Sequence, residues 1–140
     1  MRSLRPSVKQ HLMHALFAKA QKLSYEAIGA AIEVHRHKGA GLIESIYEKC
    51  LIRELSLRSI SCVNQKVILI EYKGYTFEEP LRFDLLVEGC LLLELKSVER
   101  LLALHHKQLL SYMRVSGLRA GLLVNFNVAI LPDGLTRKVL

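Results

Sequence analysis

Asp84, Glu94 and Lys96 interrupt two runs that are otherwise apolar, "LLV" after the aspartate and "CLLL" before the glutamate. A strand buried on both faces reads as nearly continuous hydrophobics, and acidic residues are poor strand formers. Charged groups here therefore ask for a reason. Two carboxylates converging at ~5 Å would repel by ~3 kcal/mol at an effective dielectric near 20. Lys96 offsets part of that repulsion, and a divalent cation offsets more. Mg²⁺, or Mn²⁺ in its place, takes carboxylate oxygens while keeping waters, which leaves room for a substrate phosphate. It polarises a phosphoryl oxygen and acidifies a bound water, the two requirements of phosphodiester hydrolysis. Lys96, held charged between carboxylates, suits stabilisation of transition-state charge better than work as a free base.

That constellation depends on register. Glu94 and Lys96 are two apart, so on one strand they share a face. Asp84 joins them only across an odd-numbered loop or a bulge. A two-residue turn at Glu88-Gly89 would pair Asp84 with Leu93 and send it to the other side. A three-residue loop with Gly89 in a left-handed conformation brings it back. The competing reading is an ion pair on an exposed sheet face, with Arg82 as a further partner, and the residues alone leave both open.

The elements that must position these groups follow from periodicity. A helix is expected over "VKQHLMHALFAKAQK", and a second over Tyr25–His37 with Ser24 as its N-cap. Gly39 and Gly41 end it. Another helix spans Leu42–Leu57, with Ile43, Ile46, Tyr47, Cys50, Leu51 and Leu55 as its apolar stripe and Glu44 near its start. Strands follow at "KVILIEY", closed by a Lys73-Gly74 turn, at "LRFDLLV" and at "CLLLELK". A helix from Leu101 to Val115 stops at Gly117. "AGLLVNF", apolar throughout, reads as an internal strand. The tail "VAILPDGLTRKVL" reads as a short hairpin turning at Asp133-Gly134.

Composition bounds the class. The 140 residues carry a net charge of +7, with 51% hydrophobic and 24% charged residues, as expected of one soluble globular domain. Residues 1–22 hold five basic groups and no acid, whereas the other 118 (140 less 22) hold 15 basic and 13 acidic groups. The excess is a basic, helical N-terminal extension over 1–22, ahead of a single domain over 23–140. It could add phosphate affinity or resemble a transit peptide, and a solvated extension is the plainer reading. No apolar run approaches the ~18 residues of a membrane span, so no membrane is expected. Cys50, Cys62 and Cys90 are widely spaced with no Cys-x-x-Cys pair, which suits buried thiols in a reducing cytoplasm. His35, His37, His105 and His106 read as surface or half-buried histidines, Tyr47 and Tyr72 as core. Asn125 and Asn127 could contact the site or cap a strand end.

"GLIESIY", Gly41–Tyr47, matches G-x-x-E-x-x-Y, and the chain resembles the GxxExxY proteins through "AAIEVHRHKGAGLIESIYEKCLIREL", "RFDLLVEGCLLLELKSVE", "KQLLSYMRVSGLRAGLLVNF" and "DGLTRK". The resemblance covers roughly residues 23–138. It implies an α/β fold, a PD-(D/E)xK nuclease-like core whose mixed central β-sheet is flanked by α-helices. Carried over position by position, it makes Asp84 the motif aspartate, Glu94 and Lys96 the E-x-K pair, and Glu44 the acidic residue of the preceding helix. "QLLSY" resembles the Q-x-x-x-Y motif of a nuclease branch that includes recombination and repair exonucleases, which makes Gln108 and Tyr112 substrate-binding. Phe83 stands where a proline often precedes the aspartate, with Pro80 earlier, and Ala40 replaces a proline in the "GAG" turn. The implied activity is a Mg²⁺-dependent nuclease acting on DNA or RNA. The alternative is a non-catalytic nucleic-acid-binding or accessory module that keeps the fold, and a homo-oligomer or a role in a complex is left open.

Overall fold

A computed structural model describes residues 5–64, 67–80 and 85–140. Asp84, Arg82 and the first half of the "LRFDLLV" strand lie outside the described residues.

The first helix, α1 (Pro6–Lys38), is one continuous run of 33 residues with Pro6 at its first turn. The break expected at Ser24 is not there. Ser24 is buried, and its hydroxyl donates back to the Ala20 carbonyl at 2.9 Å. That i−4 bond is open to a serine inside a helix and does not stop it. Ala20, Ala27, Ala30, Ala31 and Val34 form the buried face of α1, and small side chains there let the helix lie close to its neighbours. Gly39 ends it at φ 71°, donating to the His35 carbonyl at 2.7 Å.

Helix α2 (Glu44–Leu57) buries Tyr47, Leu51 and Leu55, one side chain per turn. Ile43 and Ile46, expected in its buried stripe, are exposed. Then come β1 (Cys62–Val63), β2 (Val67–Tyr72), β3 (Tyr75–Pro80), β4 (Leu85–Val87) and β5 (Leu91–Lys96). Helix α3 (Ala103–Ser116), β6 (Ala120–Asn125), a 3₁₀ turn (Leu131–Gly134) and β7 (Leu135–Val139) complete the chain.

Five strands form a mixed sheet in the order β1-β4-β5-β6-β7, and β2 and β3 form a separate two-stranded ribbon. Only β5 and β6 run parallel, and α3 supplies the crossover that a parallel pair needs. Two expectations change here. The turn at Lys73-Gly74, with φ 48° and 82°, leads into β3, a strand that periodicity does not predict. Glu78, Glu79 and Pro80 argue against a strand, but Glu78 and Glu79 are exposed on a ribbon that meets the core through Ile68 and Ile70 of β2. The tail is not a hairpin of its own, because β7 pairs with β6 from Ala120↔Val139 to Val124↔Leu135. The central position of β6 agrees with its unbroken apolar sequence, and all six of its residues are buried.

The sheet separates two apolar layers. Leu91, Leu93 and Leu95 of β5 pack with Ala27, Tyr47, Leu51 and Phe126 on the side of α1 and α2. Leu92 packs with Leu86, Leu123, Ile68 and the α3 residues Leu109 and Met113 on the other. Gly121 lets α3 settle on β6, since a Cβ there would stand 2.8 Å from Met113 Sδ and 3.0 Å from Leu109 Cδ1.

Candidate active site

Strand alternation puts Glu94 and Lys96 on the face of Leu92, the side covered by α3. Glu94 is 5% exposed and Lys96 half-buried. The hairpin before them pairs Leu85↔Leu93, Leu86↔Leu92 and Val87↔Leu91, leaving a loop of Glu88, Gly89 and Cys90. Gly89 is left-handed at φ 69°, beside Glu88 at 50°, and Cys90 N–H donates to the Val87 carbonyl at 3.0 Å. This is the odd-numbered loop, not the two-residue turn.

Beyond Lys96 the chain is held by several independent bonds. Ser97 N–H donates to Glu44 Oε1 at 3.4 Å, and Ser97 Oγ donates to the Leu42 carbonyl at 2.5 Å. Glu44, in the first turn of α2, thus meets the residue that follows Lys96. Asn125, buried at 3% exposure and paired with Lys96 across the sheet, takes the Val98 peptide from both sides. Its Oδ1 accepts from Val98 N–H at 3.1 Å, and its Nδ2 donates to the Val98 carbonyl at 2.9 Å. The same Oδ1 accepts from Asn127 N–H at 3.2 Å. Strand-end capping is therefore what Asn125 does, and the end it caps is the one that carries Glu94 and Lys96.

The Gly41–Tyr47 segment braces the same corner. Gly41 adopts φ 92°, a region glycine enters without steric cost. The Tyr47 hydroxyl donates to the Gly39 carbonyl at 2.5 Å and accepts from Leu42 N–H at 3.2 Å. Its ring stacks on Phe126 at 4.3 Å between centroids, which ties the turn before α2 to the end of β6. A shallow depression of about 450 Å³ lies here, lined by Gly41, Leu42, Ile43, Glu44, Ser97 and Asn127. Tyr47 is core, as its sequence context suggests, but Tyr72 is not, being 64% exposed on the ribbon.

Gln108 and Tyr112 lie one turn apart on α3, both half-buried. Tyr112 packs against the layer of Leu92, Leu109 and Leu123, so α3 presents this segment to the sheet face that bears Glu94 and Lys96. The histidines take structural bonds. His35 Nε2 meets the Val128 carbonyl at 2.8 Å, His37 meets Glu33, and His105 Nδ1 accepts from Leu102 N–H at the start of α3. His106 is held below the ordinary histidine range, first by burial and then by the Lys138 and His105 charges. Burial is the main cause that pushes the Cys62 and Cys90 thiols up, with Glu48 adding at Cys62. Such thiols are poor nucleophiles.

Among the described residues no three His, Cys, Asp or Glu side chains converge as a metal centre, and the third carboxylate of the expected set, Asp84, is not among them. What the described residues offer is Glu94 and Glu44, hard oxygen donors at the carboxyl end of β5. Their chemistry fits Mg²⁺ or Mn²⁺ and not a soft metal.

A mixed sheet with helices on both sides, carrying a buried carboxylate beside a lysine at the end of a central strand, defines a nuclease-like α/β class. The family model for the PD-(D/E)XK nuclease superfamily matches residues 21–138, and the chain belongs to that superfamily. No curated protein and no solved structure matches it. Among the described residues no helix is long and apolar enough to cross a membrane.

Proposed function

We propose that this protein is a Mg²⁺-dependent nuclease, with Mn²⁺ as a substitute, that hydrolyses phosphodiester bonds in DNA or RNA. The observation that carries the reading is Glu94, a buried carboxylate in a strand whose neighbours Leu91, Leu92, Leu93 and Leu95 are all buried leucines, with Lys96 on its own face. A carboxylate at that place supplies a hard oxygen donor of the kind Mg²⁺ takes. The three-residue loop of Glu88, Gly89 and Cys90 is the kind of loop that Asp84 as its companion requires. Asp84, Glu94 and Glu44 hold the metal, which when bound supplies charge for the scissile phosphate and an acidified water. Lys96 donates to the phosphate oxygens as charge builds in the transition state. Gln108 and Tyr112 orient the substrate strand. The three cysteines are free thiols, in keeping with a cytoplasmic setting.

The test is a melting curve with and without Mg²⁺ alongside cleavage of labelled single- and double-stranded DNA and RNA. A ligand bound only by the folded state raises the melting temperature, and Glu94→Ala should remove that rise together with cleavage. A metal response unchanged in the variant would place the ion elsewhere. Wild-type protein that cleaves no substrate with either metal would leave a binding module, not an enzyme.

A further inference from the structure

The ribbon of β2 and β3 carries an aromatic face that the nuclease reading does not use. Cross-strand partners lie on one side of a ladder. The pairs Ile68↔Glu79, Ile70↔Phe77 and Tyr72↔Tyr75 therefore share one face, and Leu69, Glu78, Glu71 and Thr76 share the other. At the inner end of the first face, Ile68 and Ile70 pack into the layer of Leu86, Leu92 and Leu123, over the sheet side that bears Glu94 and Lys96. At the outer end the face leaves the core. Tyr72 and Tyr75 are 64% and 66% exposed. The Tyr75 and Phe77 rings stack with centroids 5.5 Å apart, and Lys73 Nζ stands 5.4 Å from the centre of the Tyr72 ring.

We propose that this face is a stacking platform for unpaired bases, so that the preferred substrate is single-stranded or locally opened nucleic acid. The inference rests on the nuclease reading above. Rings exposed on one side of a ribbon stack on bases without regard to sequence, and a lysine among them serves the phosphate chain between the bases. Charge favours this occupant at the tip. Glu71 and Glu78 lie on the opposite face, Glu71 is turned back to accept from Gly74 N–H at 2.7 Å, and Glu79 lies at the far end beside Ile68. The rest of the chain also calls for such a platform. Apart from the five basic groups of residues 1–22, residues 23–140 carry a net charge of only +2, which gives little of the counterion release that holds most nucleic-acid binders. Stacking supplies affinity that charge does not.

The experiment is fluorescence anisotropy in EDTA, so that binding is read without cleavage. The probes are a labelled oligothymidylate, an abasic strand of the same length, and a duplex of the same sequence. The thymidylate should bind at least about tenfold tighter than the abasic strand, and a Tyr72→Ser/Tyr75→Ser variant should lose about tenfold or more for thymidylate while binding the abasic strand as before. Both side chains are exposed, so the variant should melt with the wild type. Equal binding of the two strands by the wild type, or thymidylate binding unchanged in the variant, overturns the platform. So does a variant that loses self-association in sedimentation and keeps thymidylate affinity, which would give the face to a second copy of the chain. Absence of single-strand binding also overturns the platform, and metal-dependent cleavage of the duplex in a parallel reaction would then show the nuclease reading intact.

Discussion

Replacing Asn125 by alanine removes the clamp on the turn that follows Lys96. The side chain accepts from Val98 and Asn127 and donates to the Val98 carbonyl. At about 1 kcal/mol net for each of these bonds, the loss is about 3 kcal/mol. An unfolding entropy of about 2.1 cal/mol/K per residue gives roughly 0.3 kcal/mol/K for a chain of 140 residues, so the melting temperature should fall by about 10 °C. Asn125→Asp separates the donor from the acceptor. A carboxylate still accepts both N–H groups but sets an oxygen against the Val98 carbonyl, where the amide donated. A proton on the new carboxyl restores that bond, so its pKa is raised in the folded state. The restored stability is fully present below the unfolded value, ~3.9, and is lost as pH rises through the folded value. The deficit of the aspartate variant should thus grow between about pH 4 and pH 7, whereas the alanine deficit should stay flat. Scanning calorimetry across that range reads both. A melting point lowered by under about 2 °C in the alanine variant, or an aspartate variant as stable as wild type at pH 7, would refute the clamp.

Other substitutions test the remaining contacts. In Gly134→Ala the new Cβ would stand 2.1 Å from the Asn125 carbonyl oxygen, a backbone atom of β6, so the cost should reach about 3 kcal/mol or more. Gly121→Ala meets only the side-chain atoms Met113 Sδ and Leu109 Cδ1 and should cost about 1 kcal/mol; equal losses by urea unfolding would show that backbone rigidity is not what separates them. Tyr47→Phe keeps the ring on Phe126 and removes the hydroxyl that bridges Gly39 and Leu42, for a loss of about 1–2 kcal/mol; a phenylalanine variant of wild-type stability would show that water replaces the bridge. His106 should titrate by NMR below the ordinary 6.5 because burial, then Lys138, then His105 disfavour its charged form. The folded state then binds fewer protons than the unfolded one, so stability is present above 6.5 and lost as pH falls through the folded value. His106→Gln should flatten that loss, and an unchanged acid limb would assign it to other groups.

Much of this architecture is legible in the chain as written. The apolar run of β5, broken by Glu94, and the apolar run of β6 identify the central strands, because a strand buried on both faces reads as nearly continuous hydrophobics. Gly89 marks a turn, but a two-residue turn and a three-residue loop both suit it, and the pairing of Val87 with Leu91 decides for the longer one. Glu94 and Lys96 stand out for being charged where their neighbours are leucine. Other features depend on partners far away in sequence. Ser24 looks like an N-cap and becomes an interior residue of α1, because its hydroxyl bonds Ala20 and α1 passes over the sheet without a break. The exposed ribbon of β2 and β3 reverses the core reading of Tyr72, and β7 finds β6 instead of folding back on the tail. Strand-end capping is one of the two readings the sequence offers for Asn125, but the partners of Asn125 and Glu44 are not legible there. A residue 27 positions from Val98 and another 53 from Ser97 are joined to the strand end by hydrogen bonds that no local pattern encodes. Periodicity records which face of an element is buried, and only the folded chain decides which distant polar groups meet at its end.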